Sequence, residues 1–380
     1  MHRCEFPLLI IAPNVGVRSE TFVRRHMHDL LPAKTAVISA VSGRQHEQVW
    51  SFNGPLFDLN DGDNRVIRRG CRAVLRSVGL SNAYQQRQVA RFIRKHGVRV
   101  AMVEYLDVGV PWLPLLRSLN IPVFGHAHGA DVSALLREER WRAAYLEYRH
   151  CAGVITVSHH SRDRLKQLGL PQDNIHVIPC GVDVPSLPDR PGSSPVIRCL
   201  AVGRMVPKKA PILVLDAFRR ALEVCGNLRL DYVGGGELMP AVKQYIQAFG
   251  LQNQVTLHGG QPWSFVEQRL KEADVFLQHS ITCPDTGDEE GLPVGILEAM
   301  SHALPVVSTD HAGISEAVQH GVTGRLVAPG DTQAMARQIV ELDRDAELRR
   351  TLGEAARRRV IAQFSWEQES RALRSLLGLE

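Results

Sequence analysis

Nowhere does this 380-residue chain hold an apolar run near the roughly 20 residues that a membrane-spanning helix requires, so no part of it is read as crossing a bilayer. It also lacks any CxxC pair or Cys/His cluster at metal-ligand spacing. Its seven cysteines stand apart at 4, 71, 151, 180, 199, 225 and 283, which excludes a zinc framework or a disulfide scaffold and reads as the reduced thiols of a cytoplasmic protein. The opening MHRCEFPLLIIAPN has a basic residue before a short apolar run but no small-residue cleavage site, so it reads as a buried first strand of an unexported chain. Aromatic residues make up only 6% of the chain, and the arginine-rich stretch 64–79 contains none. Base stacking has nothing to use there, and a nucleic-acid partner is not expected.

What is present is the composition of a globular protein, 44% hydrophobic and 22% charged, at a length that favours two cores over one. The charge is unevenly spread: Asn64 to Val103 holds ten basic residues and no acidic one. Within it, Ile67, Cys71, Val74 and Val78 fall on one helical face and Arg65, Arg68, Arg69, Arg72 and Arg76 on another. A basic amphipathic helix of this kind is either a core-packed surface helix or a dock for an anionic membrane surface. Asp61-Gly62-Asp63 has the form of a metal-holding DxD, but in FDLNDGDN it reads as a turn, and no metal is expected.

Short apolar runs alternate with helix-periodic stretches along the whole chain, beginning at Pro7–Ala12, Thr35–Val41, Val98–Val103, Pro122–Gly125, Gly153–Val157 and Ile175–Ile178. That alternation predicts a parallel sheet covered on both faces. After the Pro- and Ser-rich stretch Val184 to Pro195 the style repeats through Val196–Val202, Leu228–Val233, Val255–His258, Val275–Leu277, Val306–Ser308 and Gly324–Val327. The expected fold class is α/β, with one doubly wound domain over 1–185, a linker at 186–195, a second over 196–364, and a final helix over 365–380 that packs back toward the first. Ligands of such sheets sit outside the carboxyl ends of the strands, which places a cleft between the domains.

The richest stretch for chemistry is Asp288 to Pro305, DEEGLPVGILEAMSHALP. A Gly-containing loop runs into a helix there, so the N–H groups at Leu292, Val294 and Gly295 are placed to receive a diphosphate. Glu290 and Glu298 bracket that anion site, and a carboxylate is a good acceptor for sugar hydroxyls; both also suit plain helix-start residues. Arg204 and Lys209, in VGRMVPKKAP after a strand, offer cations to a departing diphosphate or form a solvated basic loop, with Lys208 competing for the role of Lys209. In GHAHGAD, His126 and His128 lie at a strand end, as hydroxyl partners or as satisfied loop histidines. Gly16 in NVGVRSETF would let backbone approach a phosphate, and Gly234, Gly235 and Gly236 either admit a nucleotide or make a tight turn.

Together the Gly-Arg loop, the Lys five residues on, and the Glu-x7-Glu element resemble glycosyltransferase family 4, retaining enzymes of the two-domain GT-B fold. SETF and TGDEEGLPVGILEAM resemble in particular its exopolysaccharide, colanic-acid-type subgroup. The resemblance runs on through LPVVSTDHAGISEAVQHGVTGRLVAPGD and covers essentially the C-terminal half. It implies GT-B architecture, with two Rossmann-like domains facing across a cleft, and a retaining, metal-independent hexosyltransferase that needs no cofactor. His128, Arg204, Lys209 and Glu290 would act at the reacting sugar. Gly16, Arg204, Lys209, Gly235, His258, Gly291, Leu292, Val294 and Glu298 would hold the donor, with Glu298 on the ribose diol and Glu290 on the hexose. His128 is favoured over His126 because the family's His belongs to an HG-x-D pattern. The implied partners are a nucleotide-sugar donor, a UDP-sugar by subgroup resemblance, and a glycan or lipid-linked saccharide acceptor. The site of action would be the cytoplasm or the inner face of the cytoplasmic membrane. The alternatives are a nucleotide-sugar epimerase on the same fold and a non-catalytic nucleotide-sugar-binding subunit of a polysaccharide assembly complex.

Overall fold

The computed structural model describes residues 5–18, 20–40, 49–59, 81–187 and 196–380. The basic stretch 64–79 and the DxD at 61–63 lie outside the described residues, as does most of the Pro/Ser-rich stretch.

Among the described residues, the strands of both sheets pair in parallel throughout. In the first half β1 (Leu8–Ala12), β2 (Thr35–Ser39), β3 (Leu56–Asp58), β4 (Val100–Glu104), β5 (Val123–Ala127), β6 (Gly153–Thr156) and β7 (Ile175–Val177) form one sheet in the order β3-β2-β1-β4-β5-β6-β7. In the second half β8 (Ile197–Val202), β9 (Leu228–Val233), β10 (Val255–Gly259), β11 (Val275–Leu277), β12 (Val306–Thr309) and β13 (Gly324–Val327) form another, ordered β10-β9-β8-β11-β12-β13. Helices cover both faces, so a central strand is buried on both sides. Along β1, Leu9 and Ile11 enter one apolar cluster while Leu8, Ile10 and Ala12 enter another, the period-two split of a strand between two layers. The edge strand β3 escapes sequence reading because it is three residues long and only partly buried.

Strand order fixes where a ligand belongs. In the first sheet the order reverses between β1 and β4, and in the second between β8 and β11. The loops leaving each pair diverge, which opens a crevice at each switch point.

The chain crosses between the two units twice, side by side. Val182 N–H donates to the Phe364 carbonyl at 2.9 Å, and Trp366 N–H donates to the Val182 carbonyl at 3.0 Å. Before this crossing, the helix Ala346–Gln363 packs Leu352, Ala356 and Val360 into the second unit. Beyond it, the helix Trp366–Leu377, capped by the Ser365 side chain, buries Leu373 and Leu377 among Leu8, Ile10 and Val37 of the first. No helix among the described residues is long and apolar enough to cross a membrane.

The crossing is packed at backbone level. A Cβ added at Gly181 would lie 2.5 Å from the Ser365 carbonyl oxygen and 2.7 Å from its carbon. Gly181→Ala is therefore expected to force the two crossing segments apart and destabilise the fold by about 1–3 kcal/mol, read as a lower urea midpoint. Gly260→Ala, where nothing lies within 4 Å of the added Cβ and φ is not positive, is the control for the glycine-to-alanine change alone.

Candidate functional site

The loop after β8 meets the loop after β11 at the second sheet's switch point. Lys208 and Lys209 are adjacent in sequence but do different things. The buried Lys208 Nζ donates to the Asp288 carboxylate at 3.1 Å and to the Glu289 carbonyl at 3.0 Å, tying the two loops together. Lys209 Nζ lies 3.1 Å from Glu290 Oε1, an ion-pair distance without the alignment of a hydrogen bond. Burial alone would raise the Glu290 carboxyl; Lys209, Lys208 and Arg204 outweigh it and hold Glu290 below the ordinary carboxylate range. Arg204 itself is exposed.

Next comes the helix Val294–Ser301, with Pro293 as its N-cap residue. Ile296, Leu297, Ala299 and Met300 anchor it in the second core. Among the described residues no acceptor takes the N–H of Leu292, Val294 or Gly295, so these donors and the positive end of the helix point to an anion. Glu298 is half-buried, and its carboxyl has no hydrogen-bond or ion-pair partner among the described residues. Burial pushes it up to about 7 despite the opposing pull of Arg25.

Facing this helix is the end of β5. The Asp131 carboxylate accepts the N–H groups of His128 (3.0 Å), Gly129 (3.0 Å) and Leu106 (3.1 Å), which pins the HGAD loop to the end of β4. Burial raises this carboxyl to about 6 against the pull of those donors. His128 lies between the rings of Phe22 and Tyr105, with centroids 4.3 and 4.8 Å away. Its Nε2 is 2.8 Å from Oε2 of the fully buried Glu104. His126, on β5, is fully buried; neither ring nitrogen makes an aligned hydrogen bond among the described residues, but Nδ1 lies 3.3 Å from Glu104 Oε2.

The two loops touch backbone to backbone. A Cβ at Gly291 would fall 1.7 Å from the His128 carbonyl oxygen, and one at Gly313 would fall 1.8 Å from the Gly291 carbonyl oxygen. Glycine is required at Gly291 for close approach.

Flanking this contact are charges that sequence reading passed over. Glu289 bridges to Arg164 (2.6 Å), His160 (3.1 Å) and the Thr282 hydroxyl (2.9 Å). Burial would raise it, and these partners instead hold it at about 2. Glu316 of the second unit accepts the N–H groups of His159 and His160, both at 2.8 Å. Its carboxylate thus sits at the positive end of the first unit's helix His159–Leu168. Neither glutamate is marked by a local motif; their partners in the first unit are more than a hundred residues away.

The remaining predicted residues sit on the rims. Gly16, with a φ of 96°, follows β1 and accepts Val49 N–H, while nearby Arg18 reaches the Gly260 carbonyl at 3.1 Å across the cleft. The Gly235 carbonyl accepts Met205 N–H at 2.8 Å. Gly234 and Gly236 are required sterically, since a Cβ would lie 1.9 and 2.5 Å from the carbonyl oxygens of Gly203 and Met205. His258 Nε2 is 2.6 Å from Asp231, and its ring packs on Phe265.

One group among the described residues has the spacing of a metal site. Ligand atoms of His26, Glu104 and His126 all lie within 4.8 Å of one another. Ligands around a tetrahedral ion at about 2.0–2.2 Å stand roughly 3.3 Å apart. His26 Nδ1 and Glu104 Oε1 are 2.6 Å apart, which is a hydrogen bond.

Comparison with known proteins brings both halves to one group. The family model described as Glycosyltransferase Family 4 matches residues 26–185, and that described as Glycosyl transferases group 1 matches 193–359. A Salmonella typhimurium protein named as the colanic acid biosynthesis glycosyltransferase WcaL is 32% identical over 269 residues, 70% of this chain and 65% of that protein. The amylovoran biosynthesis glycosyltransferase AmsK of Erwinia amylovora is 31% identical over 268 residues, with the same shares. The chain thus spans just under two thirds of the length of these relatives. The crystal structure of Anabaena HepE in complex with UDP and glucose superposes with a TM-score of 0.76 at 17% identity, covering 97% of this chain and 99% of that one. The fold is that of the GT-B proteins.

A raised carboxyl weakens the folded state where it is ionised. For Glu298 that penalty is complete above about pH 7 and gone below the ordinary value of 4.5. Glu298→Gln is therefore expected to raise the melting temperature at pH 8 and leave it unchanged at pH 4.5, measured by differential scanning calorimetry. Glu289 has the opposite sign. Its contribution is present above 4.5 and lost as pH falls through about 2, so Glu289→Gln should lower the melting temperature at pH 7.

Proposed function

This chain belongs to Glycosyltransferase Family 4, and on that premise we propose that it moves a hexose from a UDP-sugar to a glycan or lipid-linked saccharide in exopolysaccharide assembly, retaining the anomeric configuration without a metal. The observation that carries this reading is the convergence, on one cleft, of the free N–H groups of Leu292, Val294 and Gly295, the Lys209–Glu290 pair and the His128 loop. The likeness to HepE, which binds UDP and glucose, supports the choice of nucleotide.

In this reading the donor diphosphate lies on the helix start, and Arg204 and Lys209 face its oxygens. As the glycosidic bond to the diphosphate breaks, the negative charge that develops falls on these fixed donors, which need no reorganisation to receive it. Glu298, with no other partner for its carboxyl, takes the ribose diol, and Glu290 takes the donor hexose. The acceptor hydroxyl attacks the face from which the diphosphate departs, giving retention without a glycosyl-enzyme intermediate. Gly16, Gly235 and His258 line the donor's phosphate and base ends. The close inter-domain contact excludes water, which limits hydrolysis of the donor.

Purified protein in EDTA, titrated calorimetrically with UDP- and GDP-hexoses, is expected to bind one UDP-sugar. Nucleotide release should depend on a lipid-linked saccharide. Lys209→Ala and Glu298→Ala should each weaken binding by about tenfold or more, the scale of one charge-assisted contact. Wild-type binding that requires a divalent ion would defeat the metal-independent reading. Conversion of the sugar-nucleotide without acceptor would favour an epimerase.

A further inference from the structure

Behind His128 lies a chain of buried charges that the proposed reaction does not use. Glu104, at the end of β4, has one carboxylate oxygen 2.8 Å from His128 Nε2 and the other 2.6 Å from His26 Nδ1. The second nitrogen of His26, Nε2, is 3.1 Å from Glu369 Oε1 on the last helix. The other Glu369 oxygen accepts Gly181 N–H at 2.7 Å, at the crossing between the two units. His26, Glu104 and Glu369 are all buried.

The hydrogen-bonding pattern constrains the protons. With Glu104 and Glu369 both ionised and so only accepting, His26 between them donates from both nitrogens and is an imidazolium. Glu104 is then a carboxylate hydrogen-bonded to His26 and His128, with His126 Nδ1 a further 3.3 Å from Oε2, and it accepts the Nε2–H of His128. That leaves Nδ1 as the lone-pair nitrogen of a neutral His128. We propose that His26 is a positioning residue for the transfer: it links the Glu104–His128 pair to Glu369, so that docking of the last helix sets His128 to accept a hydrogen bond from a substrate hydroxyl through Nδ1. This rests on the reading that His128 lines the substrate site.

The electrostatics agree with this protonation. Burial would lower His26, but Glu104 and Glu369 carry it up to about 10. Burial and then His126 lower His128 to about 4, against the pull of Glu104. Glu104 lies well below the ordinary carboxylate range because His26 and His126 outweigh its burial. The titratable groups packed around His26 are Glu104 on β4, His126 on β5, His128 just after it, Glu369 on the last helix and Cys180 at the crossing, with Arg25 beside it on the helix Thr21–His28. The backbone is strained at this point: Tyr105, which follows Glu104, has a φ of 70°, a sparsely populated region for a side chain of its size.

The test is nitrogen-15 NMR of the imidazole rings in the full chain, with steady-state kinetics of Glu369→Gln and His26→Gln. The wild type should show His26 protonated on both nitrogens up to about pH 9 and His128 as the Nε2–H tautomer, with no metal in the purified protein. Glu369→Gln should leave donor affinity within about twofold and lower kcat by about tenfold to a hundredfold, with the His128 signals shifted; Glu369→Asp should recover part of the loss. A neutral His26 at pH 7, a stoichiometric metal, or a folded Glu369→Gln with wild-type kcat would overturn the proposal. If the variants do not fold, the wild-type spectra decide it. A wild type that binds no sugar-nucleotide overturns the transferase reading and this inference with it. A wild type that turns over with the opposite His128 tautomer overturns this inference alone.

Discussion

The rest of the site depends on one contact, the approach of the Gly291 backbone to the His128 carbonyl. No side chain intervenes there, because a Cβ would overlap the oxygen. Two strand-end loops from different sheets are thereby brought to van der Waals distance, with the side chains of the site on either side of the contact. The same approach brings Gly129 near Lys208 and the Glu289 carbonyl, so the lysine that ties the second unit's loops also abuts the first unit.

Charge around that contact is sorted by partner. Glu289 and Glu316 place their carboxylates on cations and on a helix N-terminus of the opposite unit. Glu290 is balanced by Lys209 within its own unit. Glu298 is left with no partner among the described residues and a carboxyl that burial raises to about 7. Four glutamates within one 28-residue stretch therefore have distinct tasks, and only their neighbours separate them.

A second organising feature is the double crossing at Val182 and Ser365. It makes the last helix part of the first unit's core although the sequence before it belongs to the second. Through Glu369 this helix reaches the buried histidines behind the cleft, so the seam joining the units is continuous with the groups that orient His128.

The sequence by itself determined the class of fold, because short apolar runs alternating with helical periodicity suit only parallel sheets buried on both faces. It also determined that the Glu-x7-Glu stretch is a loop running into a helix start, since such a start is built from consecutive residues. It could not separate Lys208 from Lys209, nor assign the triple glycine, because those outcomes rest on which backbone lies opposite. It gave no sign of the roles of His26, Glu104, Glu316 or Glu369. Their partners are 78 to 343 residues distant for His26 and 157 for Glu316. A buried ion pair formed across such separations leaves no periodicity or spacing to read; only the tertiary structure, by stacking two switch points face to face, decides which charges meet.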